Sequence, residues 1–196
     1  APFTLADGYL VYTGDVNHQL LNDGAKITYT GTYSDKDVAR DANGKATMKD
    51  VTFTAKVTDQ DGSASSNYVF LNGGSKNTKM DFVGKGIIDP AKITAVTLAE
   101  VSKTYDSTAD NTTATLTGAT GLVSGEDYAG ILQAGTDSKY VVKNSDGSYQ
   151  EMSHVNATNA RYTISLTNPR GNYDLALPQD EDGNYLAYGK GTITPL

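Results

Sequence analysis

The chain has no cysteine, no tryptophan and only 4 phenylalanines among its 196 residues. The absence of cysteine excludes disulfides, thiolate metal sites and a cysteine nucleophile. No apolar run reaches the roughly 18 residues that a membrane-spanning helix needs. Cations are in deficit, with 16 Lys and Arg against 23 Asp and Glu and a formal net charge of −7. Phosphate recognition requires clustered Lys and Arg, so nucleic acid is not an expected partner, and docking on anionic lipid is disfavoured. Helical periodicity is nearly missing, and its best candidates are single turns near 60–66 and 157–160. Neither histidine, His18 or His154, has a His or Cys partner at metal-ligand spacing, and no Gly-x-Ser-x-Gly elbow exists. Both histidines read as solvated side chains rather than catalytic bases.

What is present is strand-forming sequence. Hydrophobic residues make up 38% and charged residues 20%, a globular balance that leans on 13 Tyr and many Thr. Such residues suit pleated surfaces with one wet side. Val51, Phe53, Ala55 and Val57 alternate with Thr52, Thr54, Lys56 and Thr58, and Ala160, Tyr162, Ile164 and Leu166 alternate with polar neighbours in the same way. Ile27 to Tyr33 and Met80 to Ile88 supply two further strands. Turn signals separate them, among them Asn43-Gly44, Asp61-Gly62, Asp146-Gly147 and Asp182-Gly183. The turn at Asp146-Gly147 predicts a hairpin joining Tyr140–Val142 to Ser148–Gln150.

An ending also occurs twice. Asn67-Tyr68 precedes Gly84-Lys85-Gly86-Ile87-Ile88-Asp89-Pro90, and Asn172-Tyr173 precedes Gly189-Lys190-Gly191-Thr192-Ile193-Thr194-Pro195. Both anchors are displaced by 105 positions (172 − 67 and 189 − 84). Fixed-spacing repetition is the signature of a modular array. The expected fold is therefore all-β, with two small, mainly antiparallel modules, sandwich-like or a β-grasp variant. They span residues 1–91 and 92–196 and stack end to end through a short stiff linker at 90–97. Gly-x-Gly in the closing strand allows a bulge or the close approach of another backbone, and the following Pro ends the ladder. From its Tyr to its Asn-Tyr anchor the second copy is longer, 67 positions (172 − 105) against 55 (67 − 12). The hairpin around Asp146-Gly147 is the expected home of much of that excess of 12.

Read in this order, the second half resembles the YDG-type repeat, related to MBG repeats, of large bacterial surface adhesins, including filamentous-haemagglutinin-like proteins. The resemblance is carried by Lys103-Thr104-Tyr105-Asp106, Val123-Ser124-Gly125-Glu126-Asp127, Gly171-Asn172-Tyr173-Asp174-Leu175 and Gly191-Thr192-Ile193-Thr194-Pro195. Ser107-Thr108-Ala109 stands where the family has Gly-Thr-Thr. The first half is similar at Tyr12-Thr13-Gly14-Asp15 and more fully from Lys36 onward. The resemblance implies an extracellular segment, surface-bound or secreted, that acts as a non-catalytic stalk or spacer with neighbouring repeats as its partners. Its alternative is an adhesive module that binds host glycan or matrix protein through its loops. Targeting elements are expected outside this segment.

Candidate chemistry is sparse. Asp59, Asp61, Asp180 and Asp182 place carboxylates on Gly-containing loops suited to structural Ca²⁺, although neither loop continues to the bidentate glutamate of an EF-hand. No other cofactor is implied. Paired carboxylates could serve a glycosidase, but no Trp platform accompanies them. Tyr9, Tyr12, Tyr29, Tyr33, Tyr128, Tyr140, Tyr149, Tyr185 and Tyr188 could stack on sugars, yet they are scattered and read mainly as core or cross-strand residues. Asn111-Thr112-Thr113 and Asn156-Ala157-Thr158 have the form of glycosylation sequons.

Overall fold

The computed structural model describes residues 26–64, 68–72 and 75–196. Tyr9, Tyr12, His18, the Tyr12–Asp15 motif and Asn67 lie outside the described residues. The chain divides into two compact units, Ala1–Ile88 and Asp89–Leu196, and both are built from strands.

In the first unit, β1 (Lys26–Tyr33), β2 (Met48–Thr58) and β5 (Lys79–Ile87) form an antiparallel sheet in the order β1-β2-β5. Between them, β3 (Phe70–Asn72) pairs with β4 (Ser75–Asn77). The predicted period of two is realised on β2. Val51, Phe53, Ala55 and Val57 are all 3% exposed or less, while Thr52 and Lys56 face solvent. Burying each of the larger side chains stabilises the unit by about 1.5–3 kcal/mol. Phe53 stacks on Phe82 of β5 with ring centroids 5.4 Å apart.

The second unit has two layers. One is a sheet containing β8 (Val101–Thr104), β10 (Leu132–Ala134), β11 (Lys139–Lys143), β12 (Tyr149–Glu151), β13 (Asn159–Leu166) and β15 (Tyr185–Thr194). Its order is β12-β11-β13-β15-β8, with β10 also pairing β13. The other layer holds β6 (Ala91–Ile93) beside β14 (Tyr173–Leu175) and β7 (Ala95–Leu98) beside β9 (Leu116–Thr120). Ile93 and Tyr173 from this layer meet Tyr140, Tyr162, Ile164 and Ile193 from the first in one buried cluster. Asn111, itself 4% exposed, donates to the Tyr162 hydroxyl (3.2 Å) and to Ser138 (3.3 Å), so these buried polar side chains find one another. Most ladders are antiparallel, but β6–β14 and β8–β15 are parallel. The helix that a β-grasp requires is absent among the described residues, where the sole helical piece is a 3-10 turn at Tyr128–Gly130.

The repeated tails occupy matching registers. Val51 faces Gly84 in the first unit and Ala160 faces Gly189 in the second. Phe53 opposite Phe82 corresponds to Tyr162 opposite Ala187, and Ala55 opposite Met80 to Ile164 opposite Tyr185. On the other flank, Ile27–Val57 and Tyr33–Val51 correspond to Leu132–Leu166 and Tyr140–Ala160. β10 and β11 thus run along β13 as β1 runs along β2, with residues 135–138 interrupting the path. The glycines serve close approach. A Cβ on Gly84 would stand 2.7 Å from the Phe53 ring, one on Gly189 2.9 Å from Leu98 Cβ, and one on Gly191 2.8 Å from Ala160 Cβ.

Several expectations are corrected. Residues 90–97, expected as a linker, carry β6 and all of β7 but its last residue and belong to the second unit, where Ile93 is completely buried. Apolar residues in a linker have no core to enter, whereas here they have one. The helical turn expected near 60 is a hairpin turn, with the Gly62 N–H donating to Asp59 O at 2.9 Å. Asn159 and Ala160, expected at the end of a single turn, begin β13. The 12-residue excess is not in the Asp146-Gly147 hairpin, because the first unit has a counterpart turn at Asp41–Lys45. Tyr33 to Val51 spans 18 positions and Tyr140 to Ala160 spans 20 (51 − 33 and 160 − 140). The excess lies upstream, where Tyr105 to Leu132 spans 27 positions against 15 from Tyr12 to Ile27 (132 − 105 and 27 − 12). That stretch carries β9 and the 3-10 turn.

Candidate functional site

The four Gly-containing turns share one construction. In Asp41–Lys45, Asp59–Ser63, Asn144–Ser148 and Asp180–Asn184, the first residue's N–H donates to the fifth residue's carbonyl and its own carbonyl accepts from the Gly at the fourth position. Gly44, Gly62, Gly147 and Gly183 have φ between 81° and 88°, as a three-residue hairpin loop demands. The acidic side chains complete these turns. Asp180 accepts from the N–H groups of Asp182 (3.1 Å) and Asn184 (2.8 Å) and from the Asn184 amide (3.0 Å). Asp61 accepts from the Ser63 N–H at 2.9 Å. These bonds hold the carboxyls of Asp61 and Asp180 below the usual carboxylate range, the Ser63 and Asn184 side chains contributing most. The Ca²⁺ candidates thus fall as two pairs on two separate hairpins, with oxygens of Asp61 and Asp180 committed to backbone. Among the described residues, no group of three or more His, Cys, Asp or Glu could hold a metal.

The family-like motifs of the second half converge. The hydroxyl of buried Tyr173 donates to Glu126 Oε2 at 2.5 Å and accepts from the Val123 N–H at 2.9 Å. The Val123–Asp127 turn and the Asn172-Tyr173 anchor, 50 positions apart by that bond, therefore form one joint. Burial and the bond to Glu126 raise the Tyr173 hydroxyl above the ordinary phenol value. At the module start, Lys103 Nζ donates to Asp106 (2.7 Å) and to Thr108 O and Oγ1 (2.8 Å each), and the Thr108 N–H returns to Asp106 at 2.9 Å. Asp106 is lowered to about 2 by the Lys103 bond first and the Thr108 bonds next. Ser107 has φ 66° and occupies the left-handed region that glycine favours.

The richest polar surface is the outer face of the second unit's sheet. Strand pairing places Lys139, Lys143, Tyr149, Glu151, Arg161 and Tyr188 on that face. Tyr149 stacks on Tyr188 with centroids 3.8 Å apart and ring planes 14° from parallel. Lys143 Nζ stands 5.7 Å from the Tyr149 ring centroid. Arg161 pairs with Glu151 at 3.0 Å and reaches Asp137 at 4.0 Å, while Lys139 pairs with Asp110 at 2.5 Å and Asp137 at 3.7 Å. The Asp110 bond raises the Lys139 ammonium above its ordinary value. Every carboxylate of this cluster therefore has a cation beside it. Arg161 Nε is buried and has no hydrogen-bond partner. Corresponding positions in the first unit hold Ala46 and Val83, so the tyrosine stack belongs to the second unit alone.

Compared with family models, curated proteins and solved structures, the chain matches none. A functional reading therefore rests on the residues and their geometry.

The remaining sequence candidates disperse. Tyr140 is 1% exposed and belongs to the core. Tyr33 donates to Ile87 O at 2.9 Å, and Tyr128 and Tyr185 pack against the second core. His154 is exposed and stacks on Tyr105 at 5.9 Å. Asn111 of the first sequon is buried in the fold, where a glycan has no room, while Asn156 is exposed. The described residues include an open hollow of about 530 Å³ beside Leu166, Pro169, Leu175 and Tyr185, and another of about 570 Å³ beside Asp35, Asp37, Lys49 and Lys85. In the latter, Asp35 is already ion-paired with Lys49, and Lys85 with Asp50. Sequence reasoning missed the Tyr149–Tyr188 stack because its two rings come from strands with two others between them. Only the sheet order brings such residues to one surface.

Proposed function

We propose that this chain is a non-catalytic stalk segment of a bacterial cell-surface adhesin, made of two YDG/MBG-like β-modules that extend and present an adhesive tip. The observation that carries the reading is the common register of the repeated Gly-Lys-Gly tail, with Gly84 facing Val51 and Gly189 facing Ala160. A chemistry-bearing site has no need of the same closing strand twice, whereas a spacer is built by repetition. The joint between Tyr173, Glu126 and Val123 adds support, since it ties two of the family's motifs into one scaffold contact. The ion-paired outer face fits a surface that stays solvated and unreactive.

The rival reading is an adhesive module, with the Tyr149–Tyr188 stack and Lys143 as the contact for a host glycan. The test is a glycan array with immobilised mucin and matrix proteins, probed with the 196-residue segment. The spacer reading expects no binding above background. Saturable binding that Tyr149→Ala or Tyr188→Ala abolishes would replace it with the adhesive module.

A further inference from the structure

A spacer must survive tension, and the second unit's strand directions bear on how it would. Leu98 packs over Gly189, Glu100 pairs with Lys190 at 2.9 Å, and Val101–Thr104 pair in order with Gly191–Thr194. From position 98 to 104 the entering chain thus runs alongside the last strand in the same direction. Two further bonds close the far end, Tyr105 N–H to Thr194 O at 2.8 Å and Thr194 Oγ1 to Lys103 O at 3.2 Å. Lys103 is itself tied to Asp106 and Thr108, which fixes the end of β8. The entering strand β6 is likewise parallel to β14, with Ala91 N–H donating to Asn172 O and Ala176 N–H to Ile93 O, both at 2.9 Å.

Tension applied at the two ends of this unit pulls β8 toward its N-terminal end and β15 toward its C-terminal end. For parallel neighbours those directions are opposed along the common strand axis, so the ladder is sheared. In shear its hydrogen bonds carry force together and must yield nearly at once. Had the strands been antiparallel neighbours, the same pull would open them from one end, bond by bond. We propose that the parallel β8–β15 ladder is a mechanical clamp that sets the force at which the second unit unfolds. The clamp deepens the stalk reading and takes its purpose from it, while its physics depends only on strand direction.

The absence of natural cysteine allows attachment points to be chosen freely in the full 196-residue chain. Single-molecule force spectroscopy on D89C/L196C shears the ladder. The same measurement on S107C/L196C peels it, because Ser107 and Leu196 lie just past the same end of β8 and β15. All three positions are exposed. Circular dichroism and thermal melts matched to the unsubstituted chain establish that both variants carry the ladder, with A109C, whose side chain takes no part in the Lys103 anchor, replacing S107C if the latter melts lower. At equal pulling speed, D89C/L196C is expected to withstand at least about twice the force of the peeling variant, since forced unfolding reads the rupture barrier. A smaller ratio overturns the clamp. That outcome leaves the glycan test untouched, and glycan binding would remove the spacer reading without altering the ratio.

Discussion

Replacing Gly191 by Ala tests whether the repeated glycines are there for close approach. A Cβ at this position would lie 2.8 Å from Ala160 Cβ, 2.9 Å from Ala160 N and 3.0 Å from Asn159 C. All three atoms sit on β13, the central strand of the sheet, and two of them are backbone. No flexible side-chain tip is available to swing aside, so the strands must separate locally. Overpacking of this kind costs about 1–3 kcal/mol. Alanine recovers roughly 0.5–1 kcal/mol by narrowing the unfolded ensemble. The net loss is then about 1–2 kcal/mol, which for a unit near 100 residues lowers its Tm by roughly 5–15 °C. Thermal unfolding followed by calorimetry or by tyrosine circular dichroism reads the effect. Gly130→Ala is the control, since Gly130 has no atom within 4 Å of a built Cβ and is not among the positive-φ glycines. If Gly191→Ala melts as high as Gly130→Ala, the close-approach account of the tail is wrong.

Two further outcomes follow from the module start. The Asp106 carboxyl is lowered from 3.8 to about 2 in the folded state, so the stability it contributes is present above the unfolded value and is lost as pH falls through about 2. Asp106→Asn should therefore melt below the unsubstituted chain at pH 6, with the gap closing between about pH 4 and pH 2 in a series of thermal melts. At Ser107, Gly should be more stable than Ala by about 1 kcal/mol in urea titrations, reversing the usual order, because Cβ is strained at φ 66°. An Ala variant equal to or above Gly would show that this turn relaxes away from the left-handed region.

The strands of the three-stranded frame were legible because each buries one face. Val51 to Val57 and Ala160 to Leu166 alternate, and alternation is what a half-buried strand writes into a sequence. The closing tails were legible as a repeat, though their partners were not. What failed was everything set by contacts between distant segments. Residues 91–98 look the same as a stiff linker or as strands until Tyr173–Leu175 are found beside them. The length of the second half was assigned to a visible hairpin, yet the extra positions fall between Tyr105 and Leu132, a stretch whose short elements, β9 and the 3-10 turn, carry little periodicity. Asp59, Asp61, Asp180 and Asp182 do stand on Gly-containing turns, while the backbone N–H groups that Asp61 and Asp180 accept from are not recorded in composition. Tyr149 and Tyr188 are likewise ordinary in sequence and become neighbours only through the sheet order.

The matched ladders differ in the sizes of the residues that meet across them. The first unit sets a large residue against a large one, Phe53 opposite Phe82, and the second sets a large one against a small one, Tyr162 opposite Ala187. Neighbouring units that share a strand register are prone to misassembly by exchanging equivalent strands as they fold. Here such an exchange meets a penalty in both directions. Placing β15 on β2 leaves the Phe53 ring facing Ala187 with its stacking partner gone, and placing β5 on β13 drives Phe82 into the space that Ala187 leaves for Tyr162. Two units that share a register thus differ in residue volume at the very pair that an exchange of closing strands would alter.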